Sequence, residues 1–356
     1  MSLEDKITAF RRLHESGCFV LPNPWDFGSA RYLRGLGFKA LATTSAGAAW
    51  SLGSPDNGLT VDQVIGHVRA IVEATDLPVN ADFEGGFAAD PEGVARNVTR
   101  CLETGVAALS IEDSTGDKAK PLYELGEAVA RIKAARAAFD AKKSRALLVG
   151  RAECFLVGHE DPLKESIRRL EAYAASGADV LYAPGVRSRE EIAAVVKAVG
   201  PKPVNVLIGW PSDLTVADIA ALGVRRISIG GALARAAWNG FTHAAQSLAA
   251  GSFAGFAPYG KPADLNGFFR KDAKERQKAV ANLGNIGPSD AMVVPALVGA
   301  LKDPAAEVRR ETIVALVKCG ADARSALPTL ANLRQSDRDA KVRDYAGRAM
   351  SKLQDG

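Results

Sequence analysis

The chain has 356 residues, 47% of them apolar and 24% charged, with a formal charge of +4 at neutral pH. That length suits one large domain and a small one, and the composition is that of an ordinary soluble globular protein. No basic stripe with interleaved aromatics and no apolar run approaching about 18 residues is present, which excludes nucleic acid and membrane as partners. The N-terminal segment Met1-Ser2-Leu3-Glu4-Asp5-Lys6 is charged, and Cys18, Cys101, Cys154 and Cys319 are scattered without pairing or metal spacing. Both features predict a reducing, cytoplasmic setting.

From residue 17 to about residue 250, short apolar runs alternate with amphipathic segments. The runs are Cys18–Leu21, Ala40–Thr43, Val79–Asp82, Ala108–Glu112, Ala146–Arg151, Val180–Ala183, Pro203–Leu207 and Arg226–Ile229, eight in all. Helix starts between them are well marked. Thr60 and Gln63 form a capping box, and Asp161-Pro162 puts proline at a first helical position. Gly37, Gly105, Gly177, Gly200 and Gly223 stand where helices should close before the next strand. Eight β/α units in roughly 235 residues predict a TIM (β/α)8 barrel. A doubly wound open sheet is the alternative, disfavoured by the regular eightfold repeat and by the lack of a glycine-rich dinucleotide fingerprint.

In a barrel, chemistry belongs to the loops after the strands. The third run ends in Asp82-Phe83-Glu84-Gly85-Gly86, and the fourth in Glu112-Asp113. A right-handed βαβ crossover makes these strands parallel, so both acidic ends emerge at one edge. Like charges gathered there need a cation or shifted pKa values to coexist, and hard oxygen ligands favour Mg²⁺ or Mn²⁺. The competing reading is that these acids cap the helices that follow. After the second run, the small residues of Thr43-Thr44-Ser45-Ala46-Gly47 can present N–H groups to an anion, or simply form a turn before Thr60. The fifth run ends in Arg151-Ala152-Glu153, where an arginine in an acidic mouth pairs with a carboxylate of the protein or of a substrate. The seventh carries Asn205, and Gly230-Gly231 follows the eighth at a helix start suited to anions. Of the histidines, only His159 falls near this face. His14, His67 and His243 read as surface or packing residues.

With these residues in view, the stretch from about 15 to 260 resembles the isocitrate lyase/phosphoenolpyruvate mutase superfamily. The matching features are the Thr-Ser-Ala segment with Asp56 downstream, Ala81-Asp82-Phe83-Glu84-Gly85-Gly86, Ile111-Glu112-Asp113, Gly150-Arg151-Ala152-Glu153-Cys154-Phe155, Lys120-Pro121-Leu122 and Val204-Asn205-Val206. The resemblance implies a TIM barrel that binds one Mg²⁺ and makes or breaks C–C or P–C bonds beside a 2-oxo acid carboxylate. Asp82 then looks like the direct metal ligand, with Asp56, Glu84 and Glu112 holding the metal's waters. Thr44, Ser45 and Ala46 would hold the substrate carboxylate through N–H groups, Asn205 would also face the substrate, and Arg151 would be the charged clamp. Arg151 and Glu112 are the catalytic candidates. Three departures stand out, and the first is Glu84, one methylene longer than the aspartate usual in the family. The loop after Glu112 is only Ser114-Thr115-Gly116-Asp117-Lys118-Ala119-Lys120, lacking the cysteine acid of the isocitrate and methylisocitrate lyases and the asparagine of the mutase lid. The mutase histidine after the sixth strand is absent from Tyr182-Ala183-Pro184-Gly185.

Beyond Pro258-Tyr259-Gly260 the pattern changes to a period near 33 residues. Leu283-Gly284-Asn285-Ile286-Gly287 recurs as Leu316-Val317-Lys318-Cys319-Gly320, Pro295 as Pro328, and Val308-Arg309 as Val342-Arg343. A helical pair at this period resembles HEAT-like repeats. The expected division is therefore a barrel over residues 1–262 and a small all-α repeat domain over 268–356. The repeats would serve as a docking surface for a protein partner or as a cap on a dimeric or tetrameric homo-oligomer. The expected function is an Mg²⁺-dependent lyase, decarboxylase or hydrolase acting on a small 2-oxo acid or its C–C adduct. Phosphonopyruvate-type chemistry and a catalytically inactive scaffold are the alternatives.

Overall fold

Apolar runs of two to five residues become strands here because each is closed by a turn and followed by a segment with a capped helical start. The computed structural model describes residues 1–257 and 264–355. Helix α1 (Leu3–Glu15) precedes the alternation β1 (Phe19–Leu21), α2 (Phe27–Gly35), β2 (Leu41–Ala42), α3 (Ser45–Ser51), α4 (Val61–Ala74), β3 (Val79–Asp82), α5 (Pro91–Leu102), β4 (Ala108–Glu112) and α6 (Leu125–Ala141). It continues through β5 (Leu147–Arg151), α7 (Pro162–Ala175), β6 (Val180–Tyr182), α8 (Arg189–Val199), β7 (Val204–Leu207), α9 (Val216–Ala221), β8 (Arg226–Ser228) and α10 (Ala232–Ala249).

The strands form one parallel sheet in the order β1-β8-β7-β6-β5-β4-β3-β2. At the remaining seam the Ala42 N–H donates to the Pro22 carbonyl at 3.0 Å, so the sheet all but closes into the expected barrel. The strands are buried on both faces, and their side chains merge with those of the surrounding helices in one core. The Thr60–Gln63 capping box and Pro162 after the Asp161 cap are both present. Gly37, Gly105, Gly177 and Gly223 take the left-handed conformation expected of helix closures. Gly200 does not: with φ −56° and ψ 142° it is extended, because Pro201 follows and disfavours the helical region for the residue before it. Among the described residues no helix is long and apolar enough to cross a membrane.

The chain divides into two compact units, Met1–Ala257 and Pro258–Gly356, and the boundary expected near Gly260 lies outside the described residues. The second unit is helical: α11 (Leu265–Ile286), α12 (Val293–Ala300), α13 (Ala306–Lys318), α14 (Leu327–Ser336) and α15 (Ala340–Asp355). Its own core includes Val280, Leu297, Leu316, Leu330 and Val342. The sequence period reappears as a charge pattern. Arg276 forks onto Asp303 at 2.7 and 3.1 Å, and Arg309 forks onto Asp337 at 2.8 and 2.7 Å. Gly284 is fixed by packing, since a Cβ there would lie 2.6 Å from the Ala315 Cβ. Ile286 is 54% exposed, because α11 ends at that residue.

Candidate active site at the carboxyl ends of the strands

Strand β5 delivers Arg151 at its last residue, directly beside Glu112 in the β4–β5 register. Its Nη1 lies 3.2 Å from Asp82 Oδ1 and 3.1 Å from Glu112 Oε2, and its Nε donates to Glu153. The guanidinium also stacks over the Tyr182 ring, 5.2 Å from its centroid. Three carboxylates thus share one cation. Burial raises the Glu112 and Glu153 carboxyls even though Arg151 opposes it, and the surrounding acids hold the Arg151 guanidinium well above its ordinary value.

None of the three strand-end acids Asp82, Glu84 and Glu112 caps a helix. Asp90 caps α5 and Glu124 stands at the N-cap of α6, which removes the capping alternative for Asp82, Glu84 and Glu112. Glu84 sits in the left-handed region at φ 43°, an expensive conformation for a glutamate and one that turns it off the strand direction. Burial first, then the charges of Asp82 and Asp56, push its carboxyl up to about 8. Asp56 stands on the excursion after α3, where desolvation and then Asp82 raise it.

Beside this cluster lies a cavity of about 180 Å³. The expected residues Thr44, Ser45, Ala46, Asp56, Asp82, Arg151 and Asn205 line it, whereas Glu84, Glu112 and His159 do not. Thr44 caps α3, and the Ser45 N–H donates to Asp82 Oδ2 at 2.9 Å, so the small-residue turn and the principal acid are directly joined. The anion reading of Gly230 meets an internal competitor. Asn23 Oδ1 accepts the N–H groups of both Ile229 and Gly230 at 3.0 Å. Asn205 is likewise engaged, accepting from Arg226 Nε at 2.8 Å and donating to Ser228 Oγ at 2.9 Å.

Several lining residues escape a reading from strand ends alone. Asn80 and Ser110 lie inside β3 and β4, Arg226 opens β8, Tyr182 and Ser228 end β6 and β8, and Arg235 stands one turn into α10. A cue was present in the polar residues set inside apolar runs, above all an arginine opening the eighth. Asp113 serves below the site. Its Oδ1 accepts the Glu153 N–H at 2.8 Å, and its Oδ2 takes Tyr173 Oη and Arg169 Nη1, the latter at 3.1 Å. This anchors the turn from which Glu153 reaches Arg151. Cys154 next to it is buried and its thiol is pushed up to about 11, which makes it a poor nucleophile. Among the described residues no three histidine, cysteine or acidic side chains converge on a single metal-binding point, since Asp82 and Glu112 both turn toward Arg151.

The family model for phosphoenolpyruvate phosphomutase matches residues 10–249, and that for HEAT repeats matches residues 269–351. An uncharacterized protein of Mycobacterium tuberculosis is 30% identical over 244 residues, covering 68% of this chain and 90% of its own. The oxaloacetate decarboxylase of Paraburkholderia xenovorans is 31% identical over 223 residues, covering 60% of this chain and 71% of its own. Among solved structures, a candidate lyase/mutase of Burkholderia cenocepacia superposes with a TM-score of 0.71 at 45% identity, covering 75% of this chain and 97% of that one. Oxaloacetate acetylhydrolase with its product oxalate gives 0.66 at 28% identity, covering 77% and 97%. The chain is therefore an enzyme of the phosphoenolpyruvate mutase/isocitrate lyase superfamily, with HEAT repeats at its C-terminal end.

Proposed function

We propose that the protein is an Mg²⁺-dependent lyase, decarboxylase or hydrolase that cleaves a bond in a small 2-oxo acid, with Mn²⁺ as a substitute ion. The observation that carries this reading is the crowding of carboxylates beside the cavity. Asp82, Glu112 and Glu153 share the Arg151 guanidinium, Asp82 also raises the nearby Asp56 and Glu84 carboxyls, and burial with these charges pushes Glu84 up to about 8. A divalent cation relieves such crowding, so the donor set fits the ion. Mg²⁺ keeps most of its waters and takes few direct carboxylates, so it does not require three converging side chains. In this reading Asp82 is the direct ligand, and Asp56, Glu84 and Glu112 hold the waters around it. The bound ion would supply a Lewis acid that stabilises enolate charge next to the scissile bond.

The chain's own residues have separate tasks. Arg151, locked by Glu112 and Glu153, clamps the substrate carboxylate with its position fixed before binding, which lowers the ordering cost. The Ser45 N–H is taken by Asp82 Oδ2, which leaves Thr44 and Ala46 of the same cavity-lining turn to meet the substrate carboxylate. Asn205 is held in a fixed orientation by Arg226 and Ser228 and presents a rigid polar wall. A cytoplasmic location belongs to the same reading, and a homo-oligomer or a protein partner is the proposed role of the repeats. Asp82→Ala tests the central assignment. It should abolish Mg²⁺ binding in calorimetry and Mg²⁺-dependent pyruvate release from oxaloacetate while circular dichroism stays unchanged. An unaltered Mg²⁺ affinity would refute it.

A further inference from the structure

The loop that follows β3 bends against its own conformational preferences. Glu84, Gly86 and Phe87 all take left-handed backbone, at φ 43°, 83° and 54°. Glu84 and Phe87 carry a Cβ, and such residues persist in this region only where their surroundings fix them. Two side chains do so here. Arg131 on α6 donates through Nη2 to the Gly85 carbonyl and, at 2.8 Å, to that of Ala88, and through Nη1 to that of Ala89 at 3.2 Å. Asn97 on α5 donates through Nδ2 to the Gly86 and Phe87 carbonyls, both at 3.0 Å. Every carbonyl from Gly85 to Ala89 therefore ends on one guanidinium or one amide. The Glu84 carbonyl before them accepts the Glu112 N–H at 3.0 Å, which ties the turn to β4 as well.

Arg131 is 1% exposed, and among the described residues it has no acidic partner. Its guanidinium lies over the Tyr123 ring, 4.2 Å from the centroid. Tyr123 ends the loop after β4, where its N–H donates to the Asp113 carbonyl at 3.0 Å. The cation is thus wedged between the loops that follow β3 and β4. Burying a charge without a counter-ion is costly, and packing α6 against the barrel would need only an apolar side chain of similar size. What the guanidinium meets instead is a set of carbonyl dipoles that this one loop conformation supplies. Its planar, fixed fork of donors holds several of them in a single geometry, which a flexible ammonium does not. Glu84 opens this loop, near enough to Asp82 and Asp56 to feel their charges.

We propose that Arg131 is a positioning residue for the candidate metal site, holding the Gly85–Ala89 loop so that Glu84 keeps its left-handed turn and its place beside Asp82 and Asp56. The proposal rests on the Mg²⁺ reading for what Glu84 does. Calorimetric Mg²⁺ titration of the full chain tests it through a double-mutant cycle. Arg131→Gln should weaken Mg²⁺ binding at least about tenfold, and Arg131→Lys, which keeps the charge and part of the donor set, should lose less. In a Glu84→Gln background, Arg131→Gln should cost less than about twofold more, since the carboxylate it positions is gone. Amide hydrogen exchange of the metal-free protein gives a second readout. Residues 84–89 should exchange at least about tenfold faster in Arg131→Gln while β5 is unaffected. If Arg131→Gln does not fold, Arg131→Lys and Asn97→Ala are read in the same cycle and should show the same dependence on Glu84. Mg²⁺ affinity within about twofold of the wild type, or an equal loss in both backgrounds, would overturn the assignment. Unchanged Mg²⁺ affinity in Glu84→Gln, with faster loop exchange in Arg131→Gln, would instead remove Glu84 from the metal site and leave Arg131 as the clamp of its loop.

Discussion

Arg151→Gln removes the one cation that Asp82, Glu112 and Glu153 share. The side chains involved are nearly dry: Arg151 is 15% exposed, Asp82 16%, Glu112 9% and Glu153 6%. Deleting one partner of a buried pair costs about 3–5 kcal/mol, because the remaining charge has neither water nor counter-ion. Protonation limits the damage. The Glu112 carboxyl is already raised by burial, and taking up a proton there caps the penalty at about 1.4 kcal/mol for each pH unit that must be climbed. Something near 3 kcal/mol is therefore expected above neutrality, and less in acid. For a unit of 257 residues that is roughly a 6–12 °C fall in Tm. Because Mg²⁺ would offset the same carboxylates, the fall measured by scanning calorimetry should be smaller with Mg²⁺ than with a chelator. The kcat/KM should drop at least ten- to hundredfold, roughly the worth of a charge-assisted hydrogen bond. A Tm shift under about 2 °C, identical with and without Mg²⁺, would refute the view of Arg151 as the counter-ion of this cluster.

The segment Ser114–Lys120 has no cysteine, so isocitrate and methylisocitrate should not be cleaved, and efficient release of glyoxylate or pyruvate from them would contradict that. His14 is 8% exposed between Phe10 and Phe19, and burial pulls its imidazole down to about 3. Its folded value lies below its unfolded one, so its contribution is complete above about pH 6.5 and is lost at up to about 1.4 kcal/mol per unit as pH falls toward 3. Urea melts of His14→Gln should depend less steeply on pH between 7 and 5 than those of the wild type, and parallel curves would exclude this role. A chain ending near residue 266 should keep Mg²⁺ affinity and instead change in light scattering or Tm. Loss of metal affinity with unchanged assembly would show that the domain division is wrong.

The barrel could be read from the sequence because its strands are buried on both faces, so each appears as a continuous apolar run with a turn behind it. Strand limits came within two residues of the observed ones, with β3 and β4 as expected. The helical repeats were equally visible, since a period of 33 residues survives even where Pro295 and Pro328 are the main fixed points. The site was only partly visible. Strand-end residues announce themselves as charges after apolar runs, which found Asp82, Glu112 and Arg151. Arg226 at the start of β8, Asn80 inside β3 and Tyr182 at the end of β6 carry no charged strand-end signature of that kind, and only closure of the sheet brings them to one cavity. Arg235 needed the meeting of α3 and α10, which no local pattern encodes. Gly200 misled because a glycine before proline looks like a helix closure but is held extended.

The same residues bear on which bond is broken. A retro-aldol lyase must remove a proton from a hydroxyl and place another on the departing carbanion, so it needs a positioned base and a positioned acid. The loop after Glu112 offers neither cysteine nor histidine, Cys154 is buried with a thiol pushed up to about 11, and His159 lies outside the cavity. Tyr182 does line the cavity, but burial pushes its phenol up to about 12 and its ring is occupied under Arg151. Decarboxylation of a 2-oxo diacid asks for less. The bond to the distal carboxylate breaks, its electron pair passes into the enolate, carbon dioxide leaves, and water returns the proton to carbon. Charge stabilisation at the carbonyl and a grip on the proximal carboxylate suffice; in the proposed reading a cation held by Asp82 would supply the first and Arg151 the second. Among the reactions proposed, the site therefore favours decarboxylation.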